Sequence, residues 1–296
     1  METIIAAYDG RPEGEDAVVL ARHLAAALRG RLVVAQVFSA EPAPGSPEAA
    51  KDLSELAAGI LPRLGHRLDG AEAEPLAVRG SSVPRALYAL ADGCGASMVV
   101  VGSTSRGTAG RLLAGTVAER MLQGGPCPVA VAPRGLAGSE FGLRVLAVGY
   151  DDSPEARVAL DLAGRIALGA GATVRVVGVL EHPPAHEGAG AGVRQIDTGL
   201  RAGLQDAVHD AAARLPEEVR ALPVCDRGNP AVELRDRCEE GVDLLVVGSR
   251  GYGPVRRVLL GSVSSMLVSS VGCPVIVVPR SHRDGGAPRG PAQPAA

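Results

Sequence analysis

Residues 96 to 134 recur as residues 242 to 280, and the recurrence restricts the chain to an architecture that can be built twice. The offset is constant across the stretch, 248 − 102 = 146 and 280 − 134 = 146. Gly102, Ser103, Gly107, Arg111, Gly115 and Val117 return as Gly248, Ser249, Gly253, Arg257, Gly261 and Val263. Cys127, Pro128, Val129, Val131, Pro133 and Arg134 return as Cys273, Pro274, Val275, Val277, Pro279 and Arg280. Upstream, TIIAAYDGRPEGEDAVVLARHLA is mirrored by RVLAVGYDDSPEARVALDLAGRIA at an offset of 142 (151 − 9). With roughly 150 residues per domain, a chain of 296 residues holds two. They are expected at 1–135 and 143–280, joined by Gly135 to Gly142, which has no run long enough for a flexible tether. The tail 281–296, rich in Pro, Gly and Ala, is expected to be disordered.

Each unit alternates short apolar runs with amphipathic ones. Thr3 to Tyr8, Leu32 to Phe38, Glu72 to Arg79, Ser97 to Val101 and Cys127 to Ala132 read as strands. Between them the pattern predicts helices from Pro12 to Arg29, up to about Leu68 with a break at Pro62, and from Val83 to Cys94. The second unit repeats this, with helices at Arg194 to Leu215, Pro230 to Glu240 and Val263 to Val271 and strands at Val219 to Cys225, Leu244 to Val247 and Val275 to Val278. Glu181 to Gly192 reads as a mobile loop. Regular alternation predicts an α/β fold of two tandem doubly wound parallel sheets, Rossmann-like, with strand order 3-2-1-4-5. The apolar fifth strands would be exposed edges, so they are expected to pair with each other as an intrachain pseudo-dimer, with a homodimer of whole chains in addition.

Composition removes several function classes. A net charge of −3 without charge blocks gives no footprint for nucleic acid, and four Tyr with two Phe give no stacking platform. Lys51 is the only lysine among 30 basic residues and lies away from the glycine runs, which excludes a Walker A loop and a Schiff-base lysine. The five cysteines form no CxxC and no zinc spacing, which favours reduced, buried thiols in a cytoplasmic protein. Cys127 and Cys273, each before a Pro-Val strand, read as packing residues. Neither a signal peptide nor a membrane span is expected, since no apolar run reaches about 18 residues.

The candidate sites lie where strand one and strand four end. A glycine run after a strand, followed by a hydroxyl residue opening a helix, aims several backbone N–H groups at one point and suits an anion. In the order 3-2-1-4-5 the chain reverses between strands one and four, and the crevice at their carboxyl ends takes ligands. Asp9 and Asp151 end strand one there, and Gly102 and Gly248 end strand four. The alternative is local: the glycines supply φ > 0 for a turn and the aspartates cap it. His182 and His186, beside Glu181 and Glu187, read as loop residues rather than metal ligands, and the run Gly188 to Gly192 does not follow a strand as a dinucleotide fingerprint would. No Ser/His/Asp or Cys/His set recurs in both halves, so no catalytic residue and no general base of the usual kind is assigned.

Each half resembles a universal stress protein domain, and the whole resembles a tandem member of the nucleotide-binding branch. The motif of that branch, G-x2-G-x9-G-[ST], stands intact in the second half as Gly248, Gly251 and Gly261-Ser262. The first half has Gly102, Ser105 and Gly115-Thr116, a departure at one position. The resemblance implies that Asp9 and Asp151, with the backbone of Val37 and Val179, hold an adenosine. It implies that the glycine loops (with Gly107 and Gly253), Thr116 and Ser262, and the amides of Val117 and Val263 hold phosphates. The cofactor so implied is ATP, with or without Mg2+, and the function is stress-response regulation with at most slow hydrolysis. Two other classes stay open: an enzyme using the nucleotide as phosphatase or nucleotidyl transferase, and an interaction module that binds none. Arg250 adds a positive charge beside the second loop, where the first has Thr104. The loop SGGxDS of related pyrophosphatases is replaced here by YDG and YDD after strand one.

Overall fold

The computed structural model describes residues 1–41, 51–103, 116–123, 125–181, 191–249 and 261–279, with the backbone alone at 116 and 191–197. The first half runs β1 (Thr3–Ala7), α1 (Pro12–Ala27), β2 (Arg31–Ser39), α2 (Leu53–Ala58), α3 (Leu61–Leu64), β3 (Ala73–Gly80), α4 (Val83–Cys94), β4 (Met98–Gly102), α5 (Thr116–Leu122) and β5 (Val129–Ala132). The second runs β6 (Val145–Gly149), α6 (Pro154–Ala170), β7 (Thr173–Leu180), α7 (Ala191–Ala213), β8 (Ala221–Arg227), α8 (Pro230–Glu239), β9 (Leu244–Gly248), α9 (Ser262–Ser270) and β10 (Val275–Val278).

Local chemistry explains the boundaries. A proline stands in the first turn of α1, α4, α6 and α8, where its fixed φ suits a helix start and its missing N–H is not needed. Asn229 caps α8, its side-chain oxygen accepting from Ala231 N and Val232 N at 3.0 and 3.3 Å. Pro62 falls in the first turn of α3, so the helix expected up to Leu68 is broken into α2, α3 and a 3-10 turn at Gly65–Leu68. Helix α7 opens at Ala191, earlier than Arg194, so Ala191 and Gly192 leave the expected loop; residues 182–190, with His182 and His186, lie outside the described residues. The tail expected at 281–296 lies outside them as well.

The strands form one sheet of ten, in the order β3-β2-β1-β4-β5-β10-β9-β6-β7-β8. Each half therefore has the order 3-2-1-4-5, and every pairing within a half is parallel. The halves meet through β5 and β10, which pair antiparallel with Val131 opposite Val275, Ala130 opposite Ile276 and Val129 opposite Val277. Ala130 and Ile276 are the same position of the repeat (130 + 146 = 276), so the junction is self-complementary about that pair, as an isologous dimer contact is. Both would-be free edges disappear into the middle of the sheet. The outer edge strands β3 and β8 carry Pro75 and Pro223, which cannot donate to a further strand.

Composition allows two sizeable cores, and two are present, but each covers one face of the shared sheet rather than one half of the chain. One packs Ile4, Ala6, Val34, Val100, Ala130, Val148, Val246 and Ile276 against α1, α6 and the Ile60–Leu64 corner. The other packs Ile5, Val99, Val129, Val177, Leu245 and Val277 against α4, α5, α8 and α9. Strand alternation sends odd and even positions to opposite faces, which is why the buried-type strands read as unbroken apolar runs. The connector between the halves is pinned. Asp16, buried on α1, accepts from Gly135 N at 2.9 Å and Ala137 N at 2.7 Å, and Arg67 donates to Ala137 O at 2.5 Å. Burial pushes the Asp16 carboxyl up, against the two backbone donors that hold it down.

Candidate functional site

The parallel register sets the level of each candidate residue. Ala7 is opposite Ala35 and Ala6 opposite Val100, so two residues further on Asp9 stands level with Val37 and Tyr8 with Gly102. In the second half Gly149 is opposite Val177 and Val148 opposite Val246, which brings Asp151 level with Val179 and Tyr150 with Gly248. Each half thus gathers its strand-one Asp, strand-two Val and strand-four Gly at the carboxyl ends of adjacent strands, where the strand order reverses. Because β5 and β10 are antiparallel, the two crevices open at opposite edges of the sheet.

Both aspartates are exposed, and both cap the turn into the next helix. Asp9 Oδ1 accepts from Arg11 N, and Asp151 Oδ1 accepts from Ser153 N, each at 3.1 Å. Among the described residues the second oxygen of Asp151 has no hydrogen-bond partner, whereas Arg11 Nε lies 3.9 Å from Asp9 Oδ2. The two turns are built differently. The first passes through Gly10 at φ +81°; the second places Asp152 at φ +61°, a left-handed conformation costly for a residue with a Cβ. Asp152 is held there by Tyr150 Oη, which donates at 2.8 Å, and by Arg157 Nε and Nη2 at 3.1 and 3.0 Å. The Tyr150 hydrogen bond and the Arg157 guanidinium hold the Asp152 carboxyl below its ordinary value, while burial pushes the Tyr150 hydroxyl up. Ser153 adds a helix cap, its Oγ accepting from Ala156 N at 3.2 Å; its counterpart Arg11 (11 + 142 = 153) makes none.

The strand-four glycines do not serve the purpose expected of them from turn chemistry. Neither Gly102 nor Gly248 has a positive φ. Instead each admits the first turn of the helix that follows strand one. A Cβ on Gly102 would run into the backbone carbonyl of Glu13 on α1, and one on Gly248 would lie 2.8 Å from Glu155 Cβ and 3.3 Å from Ala156 N on α6. Close helix–strand contact of this kind brings the helix start, with its capping aspartate, up against the end of strand four.

The described ends of the second glycine loop are stitched to β9. Gly261 N donates to Ser249 O and Ser249 N to Val278 O, both at 2.8 Å. Ser264 Oγ, buried, donates to Gly248 O at 2.8 Å. These bonds set the start of α9 beside the strand end. No side chain caps that start, Ser262 is exposed and Val263 is half-buried. The first-turn N–H groups of a helix have no partner within the helix and carry its positive dipole end. Ser264 was invisible in the sequence among the serines of SVSSMLVSS; its counterpart Ala118 (118 + 146 = 264) cannot make the bond. In the first half Val117 is half-buried on α5, which opens at Thr116. Ser105, Gly107, Gly115, Arg250, Gly251 and Gly253 lie outside the described residues.

The described helices include none long and apolar enough to cross a membrane. A model of the universal stress protein family matches residues 1–133 and again 142–279. A universal stress protein of Mycobacterium tuberculosis (strain ATCC 25618 / H37Rv) is 32% identical over 202 residues, a match covering 63% of this chain and 63% of that protein, under two thirds of its length. A second from the same strain is 26% identical over 246 residues, covering 78% and 77%. Among solved structures, a universal stress protein from Archaeoglobus fulgidus DSM 4304 superposes with a TM-score of 0.65 at 20% identity, over 94% of this chain and 98% of that one. A protein of Pseudomonas aeruginosa UCBPP-PA14 does so with a TM-score of 0.68 at 15% identity, over 95% and 94%. Identities that low speak for a common fold alone. The family match over both halves, on a sheet that repeats 3-2-1-4-5 twice, carries the assignment: the chain belongs to the universal stress protein family, in tandem form.

Proposed function

We propose that the chain is an adenine-nucleotide-binding regulator of stress adaptation, acting in the cytoplasm, with ATP as its ligand. The observation that carries this reading is the gathering of Asp151, Val179, Gly248 and the uncapped start of α9 at one reversal of the strand order. The set fits a nucleotide in chemical kind. Asp151 has an oxygen left over from its capping bond, suited to a ribose hydroxyl. The backbone of Val179 offers an edge for adenine. The first-turn amides of α9, with Ser262 and Val263, present donors and a positive dipole end to phosphates. Mg2+ would accompany the phosphates and neutralise part of their charge. The first half supplies Asp9, Val37, Gly102, Thr116 and Val117 in the same order. With no general base assigned, the chain's residues hold and orient rather than turn over, so hydrolysis is slow. The outer edges carry prolines, so a homodimer of whole chains forms away from β3 and β8.

Mass spectrometry of the small molecules released from denatured, freshly purified protein tests the reading, together with calorimetric titration of ATP, ADP, cAMP and GTP. ATP is expected to be released and to bind. Asp151→Ala should weaken binding at the second site by about 1–3 kcal/mol without unfolding the protein. Absence of any nucleotide, with no heat on titration, would reject nucleotide binding. Turnover well above background would move the protein to the enzyme class.

A further inference from the structure

Cys273, at the corner between α9 and β10, lies against Cys238 in the last turn of α8, with the two Sγ atoms 2.7 Å apart. Both side chains are buried, and both thiols are free. At that separation the two sulfurs are in direct contact, within the range from which a disulfide can close. The remaining cysteines are not so placed. Burial, and after it the nearby Cys94, push the Cys127 thiol up to about 12, but no sulfur–sulfur contact of this kind joins Cys94 and Cys127. Cys225 stands on the edge strand β8.

We propose that Cys238 and Cys273 are an oxidation site for hydrogen peroxide, closing to a reversible intramolecular disulfide. A thiolate at Cys238 attacks one peroxide oxygen; the O–O bond breaks, leaving a sulfenic acid at Cys238 and hydroxide, which takes up a proton as water. The Cys273 sulfur then attacks the Cys238 sulfur, the S–O bond breaks, and a second water leaves with the Cys273 proton. Two thiols and one peroxide become one disulfide and two waters, and an added dithiol reverses the change by becoming a disulfide itself. Contact with Cys238, and then burial, hold the Cys273 thiol above its ordinary value. Burial also selects the oxidant. Both sulfurs are buried, which keeps out a bulky disulfide oxidant and favours a small one. The bond would close a ring of 273 − 238 + 1 = 36 residues holding all of β9 and α9. It would staple to α8 the strand that joins the two halves and the helix that opens beside Gly248. A ring of that size removes freedom from the unfolded chain, so the oxidised protein is the more stable form.

The full-length reduced protein, freed of reductant, is treated with equimolar hydrogen peroxide, its remaining thiols are alkylated, and the digest is mapped by mass spectrometry. The expected result is loss of two of the five thiols, a Cys238–Cys273 peptide pair from monomeric protein, and full reversal by dithiothreitol. The melting midpoint should rise by roughly 5 °C or more on oxidation. Five free thiols, a different cystine, a cross-link between chains, or the expected cystine with no rise in melting would each overturn the proposal. Cys273→Ser should abolish the cross-link. If that variant fails to fold, the Cys94→Ser/Cys225→Ser double variant decides: it must still lose two thiols to the same peptide pair.

Discussion

Gly169 on α6 packs against Ala27 on α1, and the two are the same position of the repeat, since 27 + 142 = 169. A Cβ on Gly169 would collide with the Ala27 carbonyl. With the Ala130–Ile276 pair in the sheet, this contact marks a pseudo-twofold axis passing through both layers. Arg165 on α6 reaches Glu2 at 2.5 Å beside it. The halves therefore meet twice, edge to edge and helix to helix.

The helix contact leaves no room for a side chain, so Gly169→Ala should cost about 1–3 kcal/mol in denaturant unfolding, by forcing α1 and α6 apart. An unchanged midpoint would show that the helices separate freely and that the sheet alone holds the halves.

Val277 lies opposite Val129 in the antiparallel junction and is almost fully buried. Val277→Lys places an unpaired charge there and should destabilise the protein by on the order of 3 kcal/mol or more, with a larger radius in small-angle scattering as the halves loosen. Wild-type size and melting would count against the pairing.

Gly248→Ala and Gly102→Ala should both destabilise, the second more, because its Cβ would overlap the Glu13 carbonyl outright while that on Gly248 would lie 2.8 Å from Glu155 Cβ. About 1–3 kcal/mol is expected for each. Since the displaced turns carry Asp151 and Asp9, ATP affinity should fall with stability; a loss of affinity at full stability would mean that the glycines face the ligand instead.

His23 is expected to make the fold less stable on the acid side of neutrality. Its Nδ1 donates to Val19 O at 2.9 Å, its ring meets Phe141 edge-on at 5.0 Å, and it lines a cavity of about 170 Å3 with Arg22, His66, Arg67 and Asp69. Burial lowers its proton affinity, with Arg22 adding to the effect. The unfolded chain then binds the proton more tightly, so stability is complete above about pH 6.5 and falls as pH drops through that value. Melting curves from about pH 7.5 to 5.5 should slope less for His23→Gln than for wild type; equal slopes would assign the acid sensitivity elsewhere.

The two proposed nucleotide sites should differ. The second has the Ser153 cap, the Ser264 bond to Gly248 and, in sequence, Gly251 and Arg250 where the first has Ser105 and Thr104. Separate titrations of Gly251→Ser and Ser105→Gly should weaken the second site and strengthen the first. The second site is expected to bind ATP more tightly than the first; equal wild-type sites, with Ser105→Gly silent, would overturn that order.

Much of the fold was legible in the sequence because its signals are local. Val83–Cys94 and Val275–Val278 have the bounds their patterns predict, and Pro62 breaks its helix where its ring would clash. The duplication with the motif at Gly248 and Gly261-Ser262 was enough to identify the family. That the ends of strands one and four meet was legible too, because strand order alone brings them together. The capping role of Asp9 and Asp151 stood among the sequence readings; the strut from Tyr150 to Asp152 did not.

What the sequence determined by itself is therefore the repeated βα pattern, the family and the strand ends that meet where the strand order reverses. The pairing of the two fifth strands was expected from their apolar edges; tertiary structure alone decided the register in which β5 meets β10, that each core covers one face of the shared sheet, that Gly102 and Gly248 make way for α1 and α6, and that Asp16 pins the connector. It alone brought Cys238 to Cys273. Propensity and periodicity act over a few residues and leave a mark in the local pattern. These relationships join residues from 35 (Cys238 and Cys273) to 146 (Ala130 and Ile276) positions apart, and which of them meet is fixed only when ten strands have found their order and the helices have closed over both faces.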